Sequence, residues 1–220
     1  MIQITKQTLL PLLQKYLPSN PVIIEAGAFN GSDTQRLSAY WPQGTVHAFE
    51  PVPEIFQQLQ SNTRHLANVH SYPLALSSST GTATFYVSQH PDRPEKPFQA
   101  GSLLAPKERL KHSPATYPST IEVNTITLDA WAQQHGITHI DCMWLDMQGN
   151  ELAVLKTAPR MLATAHAIYT EVEFIEAYQG QPLYPDIKAW LEKQGFTMIA
   201  RDFSDNPTWF FGNALFVRNT

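Results

Sequence analysis

The chain has 220 residues, 43% of them hydrophobic, a formal net charge of −4 and a pI near 6.0. That is enough apolar material for one domain with a real core. The acidic balance, with no basic cluster, argues against nucleic-acid binding by phosphate neutralisation, and no 18-residue apolar run is present to cross a membrane.

Residues 1–20 read as an N-terminal helical extension. Leu9, Leu10, Leu12, Leu13, Tyr16 and Leu17 give an amphipathic helix over 5–17, started or disturbed at Pro11 and ended by Pro18 and Pro21. A charged stretch followed by a long apolar one is missing at the start, so a cytoplasmic location is expected. Strands follow at 22–27 and 45–50, joined by a helix over 31–40 that Asn30 or Ser32 can cap. Pro51 and Pro53 close the second strand. A helix over Glu54–Thr63, a third strand over Val69–Leu76 and an added strand over Thr82–Ser88 come next.

Residues 89–119 hold six of the 17 prolines and no visible period. This segment is expected to be a loop or lid insertion, with Gly101-Ser102-Leu103-Leu104 as its ordered, inward-facing piece. Order resumes with a strand over Ile121–Ile126 and a short helix over Leu128–His135 capped by Thr127. A buried strand over 139–147 holds the single cysteine, Cys142, which reads as a core thiol in a reducing compartment. Helical stretches at Glu151–Lys156 and from Pro159 follow, then a strand over Ala167–Phe174 and a helix over Tyr184–Gln194. Thr197–Phe203 and Asn213–Val217 make a terminal antiparallel pair. The alternation implies one doubly wound, mostly parallel α/β domain spanning 1–220, Rossmann-like, with seven strands and an antiparallel last strand.

The chemistry starts at the first strand–loop–helix–strand unit. One apolar strand ends in Glu25, a small-residue loop turns at Gly27 and Gly31, and the next strand ends in Glu50. An acid at the tip of the second strand suits an adenosine ribose. The loop spacing, Gly27-x-x-x-Gly31, is not the one that cradles a pyrophosphate. Glu25 and Asp33 beside it would repel such a dianion. They suit S-adenosylmethionine, which carries a sulfonium and an ammonium and no phosphate.

Beyond the strand ends lie Asp146 with Gln148, and Glu171 with Glu173. Each of Asp146, Glu171 and Glu173 is a candidate general base for an acceptor hydroxyl. Asp146 is also a candidate ligand of a cofactor ammonium; its bland alternative is a turn acid. Glu171 and Glu173 share a strand face. Three strand-end acids can also hold Mg²⁺, but no dedicated metal site is expected. Two other readings stay open. Tyr184-Pro-Asp-Ile-Lys188 matches the Tyr-x-x-x-Lys pair of nicotinamide oxidoreductases, and a cofactor-binding module without catalysis fits the same fold.

Six stretches in order resemble the FkbM family of S-adenosylmethionine-dependent methyltransferases. They are Val22–Thr34, Val46–Pro51, Tyr72–Ser77, Val123–Asp129, Leu145–Glu151 and Gly212–Val217. The family usually reads Lys-x-Asp-x-Glu-Gly around the fourth strand; here Trp144 and Gln148 replace the Lys and the Glu. The resemblance implies a class I methyltransferase, typically methylating a hydroxyl of a small molecule or sugar. By position, Glu25, Gly27, Ala28 and Gly31 would line the methionine end, and Ser32 is a further cofactor-binding candidate. Glu50 would take the ribose hydroxyls, Ala75 would lie by the adenine, and Asp146 would sit at the transfer centre.

Overall fold

Neighbouring residues along the central strands point into opposite cores. Ile23, Cys142 and Trp144 join one apolar cluster, whereas Ile24, Met143 and Leu145 join the other. A strand buried on both faces needs helices on both sides, which is the layering the sequence implied. The computed structural model describes residues 1–219; Thr220 and the side chains of residues 94–97, within the proline-rich insertion, lie outside the described residues.

The elements run in chain order as follows. The first half comprises β1 (Ile2–Gln3), α1 (Lys6–Leu13), β2 (Val22–Ala26), α2 (Ser32–Tyr40), β3 (Thr45–Phe49), α3 (Pro53–Thr63), β4 (Val69–Tyr72), β5 (Ala75–Leu76) and β6 (Gly81–His90). Then come β7 (Arg93–Pro97), α4 (Arg109–His112), β8 (Thr116–Ile126), α5 (Leu128–Gln134), β9 (Cys142–Leu145), α6 (Glu151–Lys156) and α7 (Pro159–Thr164). The chain closes with β10 (Ala167–Glu173), α8 (Tyr184–Lys193), β11 (Phe196–Arg201) and β12 (Phe211–Arg218).

The main sheet has the order β1-β11-β12-β10-β9-β2-β3-β4. Its pairs are parallel except where β12 runs against β10 and β11. Among the described residues this sheet has eight strands rather than the expected seven. The extra one is β1, a two-residue strand on the edge whose pairing follows from the docking of α1. Thr5 caps α1 in a capping box with Thr8, and Leu9, Leu10, Leu12 and Leu13 bury against Leu37 and Trp41.

The expected third strand is split. Pro73 offers no N–H to a ladder, so β4 ends at Tyr72 and the chain restarts as β5 in a second sheet of order β5-β8-β6-β7. The insertion is also more regular than expected. β6 runs on to His90, β8 begins at Thr116, and the two form a long antiparallel hairpin over the strand ends. Ser102 pairs with Tyr86 at its inner edge, and α4 hangs from the loop after β10 by bonds from Lys107 N and Arg109 N to the Ala177 carbonyl.

From β2 the chain winds outward through β3 to β4, then returns to lay β9 on the other side of β2. The crevice beyond the carboxyl ends of β2 and β9 is therefore the topological switch point, where open α/β sheets bind ligands.

Candidate active site

Two cavities open at this switch point. The first, of about 170 Å³, lies between the Glu25–Phe29 loop, the end of β3 and the second sheet. The second, of about 320 Å³, lies between α1, the ends of β9 and β10, and the β11–β12 turn. Lys6, Asp33, Gln99, Trp144, Asp146 and Gln148 line both, so the cavities meet at the tip of β9.

The first cavity gathers most of the residues chosen from the sequence: Glu25, Gly27, Ala28, Ser32, Glu50, Ala75 and Asp146 all line it. Gly31 does not. It packs behind the loop at φ +84°, where a Cβ would strike the Leu59 side chain at 2.8 Å. Glu50 receives the N–H groups of Phe29 (3.1 Å) and Val52 (2.9 Å). Burial pushes its carboxyl up to about 7 against the pull of those donors. Phe29 reaches that bond with φ +50°, a conformation costly for a non-glycine residue, so the loop is held to this shape by its contacts. Burial likewise pushes Glu25 up to about 8, and Asp33 and Asp146 push the same way. One Glu25 oxygen, Oε2, is buried without a partner.

An uncompensated buried carboxylate is costly and is stabilised by a cation. Cleft acids at Glu25, Asp33 and Asp146 with an orphan oxygen thus fit a ligand bearing ammonium and sulfonium charge, and disfavour a pyrophosphate. The opposite end of the cavity is apolar, with Val52, Ile55, Ala75, Phe85 and Leu103 along its wall, as an adenine face requires.

At the junction, one side-chain amide ties two acids together. Gln148 Nε2 donates to Asp146 Oδ1 and to Glu171 Oε2, each at 2.7 Å. Its Oε1 accepts from the Tyr178 hydroxyl at 2.9 Å, and its carbonyl accepts from Ser102 Oγ at 2.8 Å. Gln148 sits at φ +56°. Asp146 is exposed along the cleft, whereas Glu171 and Glu173 are buried. Enclosure raises the Asp146 carboxyl, with the Gln148 donor and the Arg109 charge opposing it. Because this side chain borders open cleft, its shift is that of a crevice and not of a dry core. Burial, then the neighbouring Asp146, raises Glu171 well above the usual range.

Glu173, the third candidate, lines neither cavity. It faces Arg109, with Nη1 and Oε1 4.0 Å apart, and burial pushes it up to about 8 against that charge. Trp144 packs on Tyr169 with ring centroids 4.2 Å apart.

Lys6, Arg109, Tyr117, Tyr178 and Asp202 escape a reading of the sequence, because none sits in a recognisable pattern. Asp202 accepts from Asn213 N at 2.7 Å and Nδ2 at 2.8 Å across the β11–β12 pair, and both line the second cavity. Tyr184 and Lys188 of the Tyr-x-x-x-Lys match lie on α8, outside both cavities. Tyr184 packs against Phe174 and Phe203, and Lys188 pairs with Glu192. Among the described residues no three His, Cys, Asp or Glu side chains are grouped to hold a metal ion, and no helix is long and apolar enough to cross a membrane.

Sheet order, the antiparallel last strand and the switch-point crevice define the class I methyltransferase fold. A family model described as methyltransferase FkbM domain matches residues 25–198, and the chain belongs to that family. Family and fold together make it an S-adenosylmethionine-dependent methyltransferase. It is 30% identical to 2-O-methyltransferase NoeI of Sinorhizobium fredii over 163 residues, covering 74% of this chain and 67% of the relative. It is 28% identical to methyltransferase sdnD of Sordaria araneosa over 211 residues, covering 84% and 77%. The fold is similar to that of magnesium protoporphyrin IX methyltransferase from Synechocystis PCC 6803 with bound SAM, with a TM-score of 0.54, 13% identity and coverage of 97% and 77%. It is also similar to the fibrillarin pre-rRNA processing protein of Methanococcus jannaschii, with a TM-score of 0.54, 11% identity and coverage of 92% and 68%.

Proposed function

We propose that the chain methylates a hydroxyl oxygen on a small polyhydroxylated acceptor such as a sugar, with the cofactor in the first cavity and the acceptor in the second. S-adenosylmethionine, when bound, supplies a methyl group already activated on sulfur. The protein is left with alignment, shielding and removal of the acceptor's proton. In this reading Glu50 receives the ribose hydroxyls, Glu25 faces the ammonium, and the wall around Ala75 holds the adenine. Gly27, Ala28 and Ser32 line the methionine end, and Gly31 supports their loop from behind.

Asp146 carries the assignment, because it borders both cavities and is open to the cleft. As a carboxylate it accepts the hydroxyl proton. Glu171, buried and raised further, is the partner that shares the charge of the pair through Gln148. Glu173 acts behind them on Arg109. The second cavity also offers a sugar what it needs, since Asp202, Asn213 and Asp33 supply mixed donors and acceptors beside the Tyr169 ring. The 2-O-methyltransferase named among the relatives supports oxygen as the atom methylated.

The test is transfer of tritiated methyl from S-adenosylmethionine to a panel of mono- and oligosaccharides, polyols, phenols and carboxylic acids. Label on a sugar or polyol hydroxyl, lost in Asp146→Asn, supports the assignment. Transfer confined to carboxylic acids, or retained in Asp146→Asn, removes it.

A further inference from the structure

Arg109 is the one lysine or arginine side chain buried among the described residues, at 6% exposure. It comes from α4 in the middle of the 89–119 insertion, not from the sheet. Two backbone bonds to the Ala177 carbonyl, from Lys107 (2.8 Å) and from Arg109 itself (3.2 Å), hang that helix over the end of β10. The guanidinium lies in an aromatic sleeve, 5.6 Å from the Tyr178 ring centre, 5.2 Å from Phe210 and 5.9 Å from Phe211. It lines the second cavity together with Asp146, Gln148 and Glu171.

Its Nε and Nη1 have no hydrogen-bond partner, and the nearest acid, Glu173, stands 4.0 Å off with both oxygens unpartnered. A guanidinium held this way, by aromatic faces and not by a bidentate carboxylate, keeps its field for the whole acidic floor. That floor is crowded with carboxyl groups. Asp146 faces Asp33 of α2 and Glu171 of β10; Glu171 faces Asp146, Glu173 and Glu151 of α6. The hydroxyls of Tyr117 and Tyr178 lie against the same cation. Lys6 of α1 lines the same cavity, and Arg36 is already paired with Asp33.

We propose that Arg109 is a positioning residue whose charge, delivered by the insertion, holds a negative charge on the Asp146–Glu171 pair, ready to take a proton. The insertion then supplies part of the electrostatics of the site and does more than cover it. The use of that charge in catalysis rests on Asp146 being the base. The charge effect itself does not, and it is read without any acceptor.

The experiment is a carboxyl ¹³C NMR titration of the protein saturated with S-adenosylhomocysteine, in wild type, R109K, R109Q and R109M. Asp146→Asn and Glu171→Gln assign the two signals. Loss of the cation in R109M and R109Q is expected to raise the midpoints of the pair by about one unit or more, with a smaller rise in R109K. A merely structural role would disturb melting temperature and leave these midpoints in place. Should R109M fail to fold, R109Q carries the comparison, with calorimetric S-adenosylhomocysteine affinity as the check that the site is intact. Midpoints unmoved in a folded variant, or moved equally by R109K, overturn the proposal. Midpoints that move while Asp146→Asn keeps full methyl transfer leave the charge effect standing and remove the base assignment instead.

Discussion

Gly27 and Asp146 meet so closely that a Cβ at residue 27 would stand 1.8 Å from the Asp146 carbonyl oxygen. The two residues follow β2 and β9, the strands that flank the switch point, so this contact sets the gap between the two cavities. Gly27 also has φ +83°. Replacing it with Ala therefore meets two penalties, backbone strain of about 1–3 kcal/mol and a backbone clash that only parting of the strand ends relieves. Gly27→Ala is expected to lower the melting temperature and to abolish S-adenosylhomocysteine binding by calorimetry. Gly27→Asn separates the penalties, since Asn tolerates the left-handed region but keeps the Cβ. If Asn restores binding, the close approach is not what matters.

Glu50 fixes Phe29 and Val52 by their N–H groups while facing the cavity. In the proposed ribose role, its loss would remove hydrogen bonds to a charged group, each contributing about 1.5–3 kcal/mol. Glu50→Ala is expected to weaken S-adenosylhomocysteine at least a hundredfold by calorimetry. Unchanged affinity in a folded variant would withdraw the ribose assignment.

The buried acids make a statement about pH. Glu25 is pushed up to about 8, and Glu50 and Glu151 to about 7, all mainly by burial. A raised carboxyl binds its proton more tightly folded than unfolded, so the contribution to stability is full below the unfolded value near 4.5 and is lost as pH rises through the folded value. The cofactor-free protein is thus expected to melt at progressively lower temperature between about pH 5 and pH 8, opposite to the usual acid destabilisation. Glu25→Gln should flatten the upper part of that fall. Melting curves across the range decide it; a melting temperature that rises over this window contradicts the burial argument.

The residues proposed for the cofactor could be picked from the sequence because they are local. Glu25, Gly27 and Glu50 belong to one strand–loop–helix–strand unit, where spacing along the chain is also geometry in space. Asp146 was legible for the same reason, as the end of an apolar strand before a turn. The residues proposed for the acceptor could not be picked this way. Arg109 sits in a segment without periodicity, Tyr178 in a loop, and Asp202 beside a β-pair, and only tertiary docking brings them to Gln148 and Glu171. Pairing Glu171 with Glu173 by strand face was sound as alternation, yet one reaches the cavity and the other faces Arg109. The eighth strand was invisible because two residues carry no pattern. The break at Pro73 was readable in principle, since a missing N–H is written in the sequence.

Gln148 can orient its acids only if its own amide cannot turn over, and that is the work of Tyr178. Tyr117 and Tyr178 both reach the Ala100 carbonyl, at 2.9 and 2.8 Å, but each phenol has one hydrogen. With Tyr117 satisfying Ala100, the Tyr178 proton is free for Gln148 Oε1, which fixes Nε2 on Asp146 and Glu171. Tyr178→Phe leaves Gln148 Oε1 buried and unpaired, at a cost of about 1–3 kcal/mol, and lets the amide present its oxygen to the carboxylates instead. The expected result is a modest fall in melting temperature, unchanged S-adenosylhomocysteine affinity and a fall in methyl-transfer kcat of about tenfold or more, the scale of one lost hydrogen bond that orients a catalytic group. If kcat holds while stability drops, the phenol is a packing group and the orientation of Gln148 is secured elsewhere.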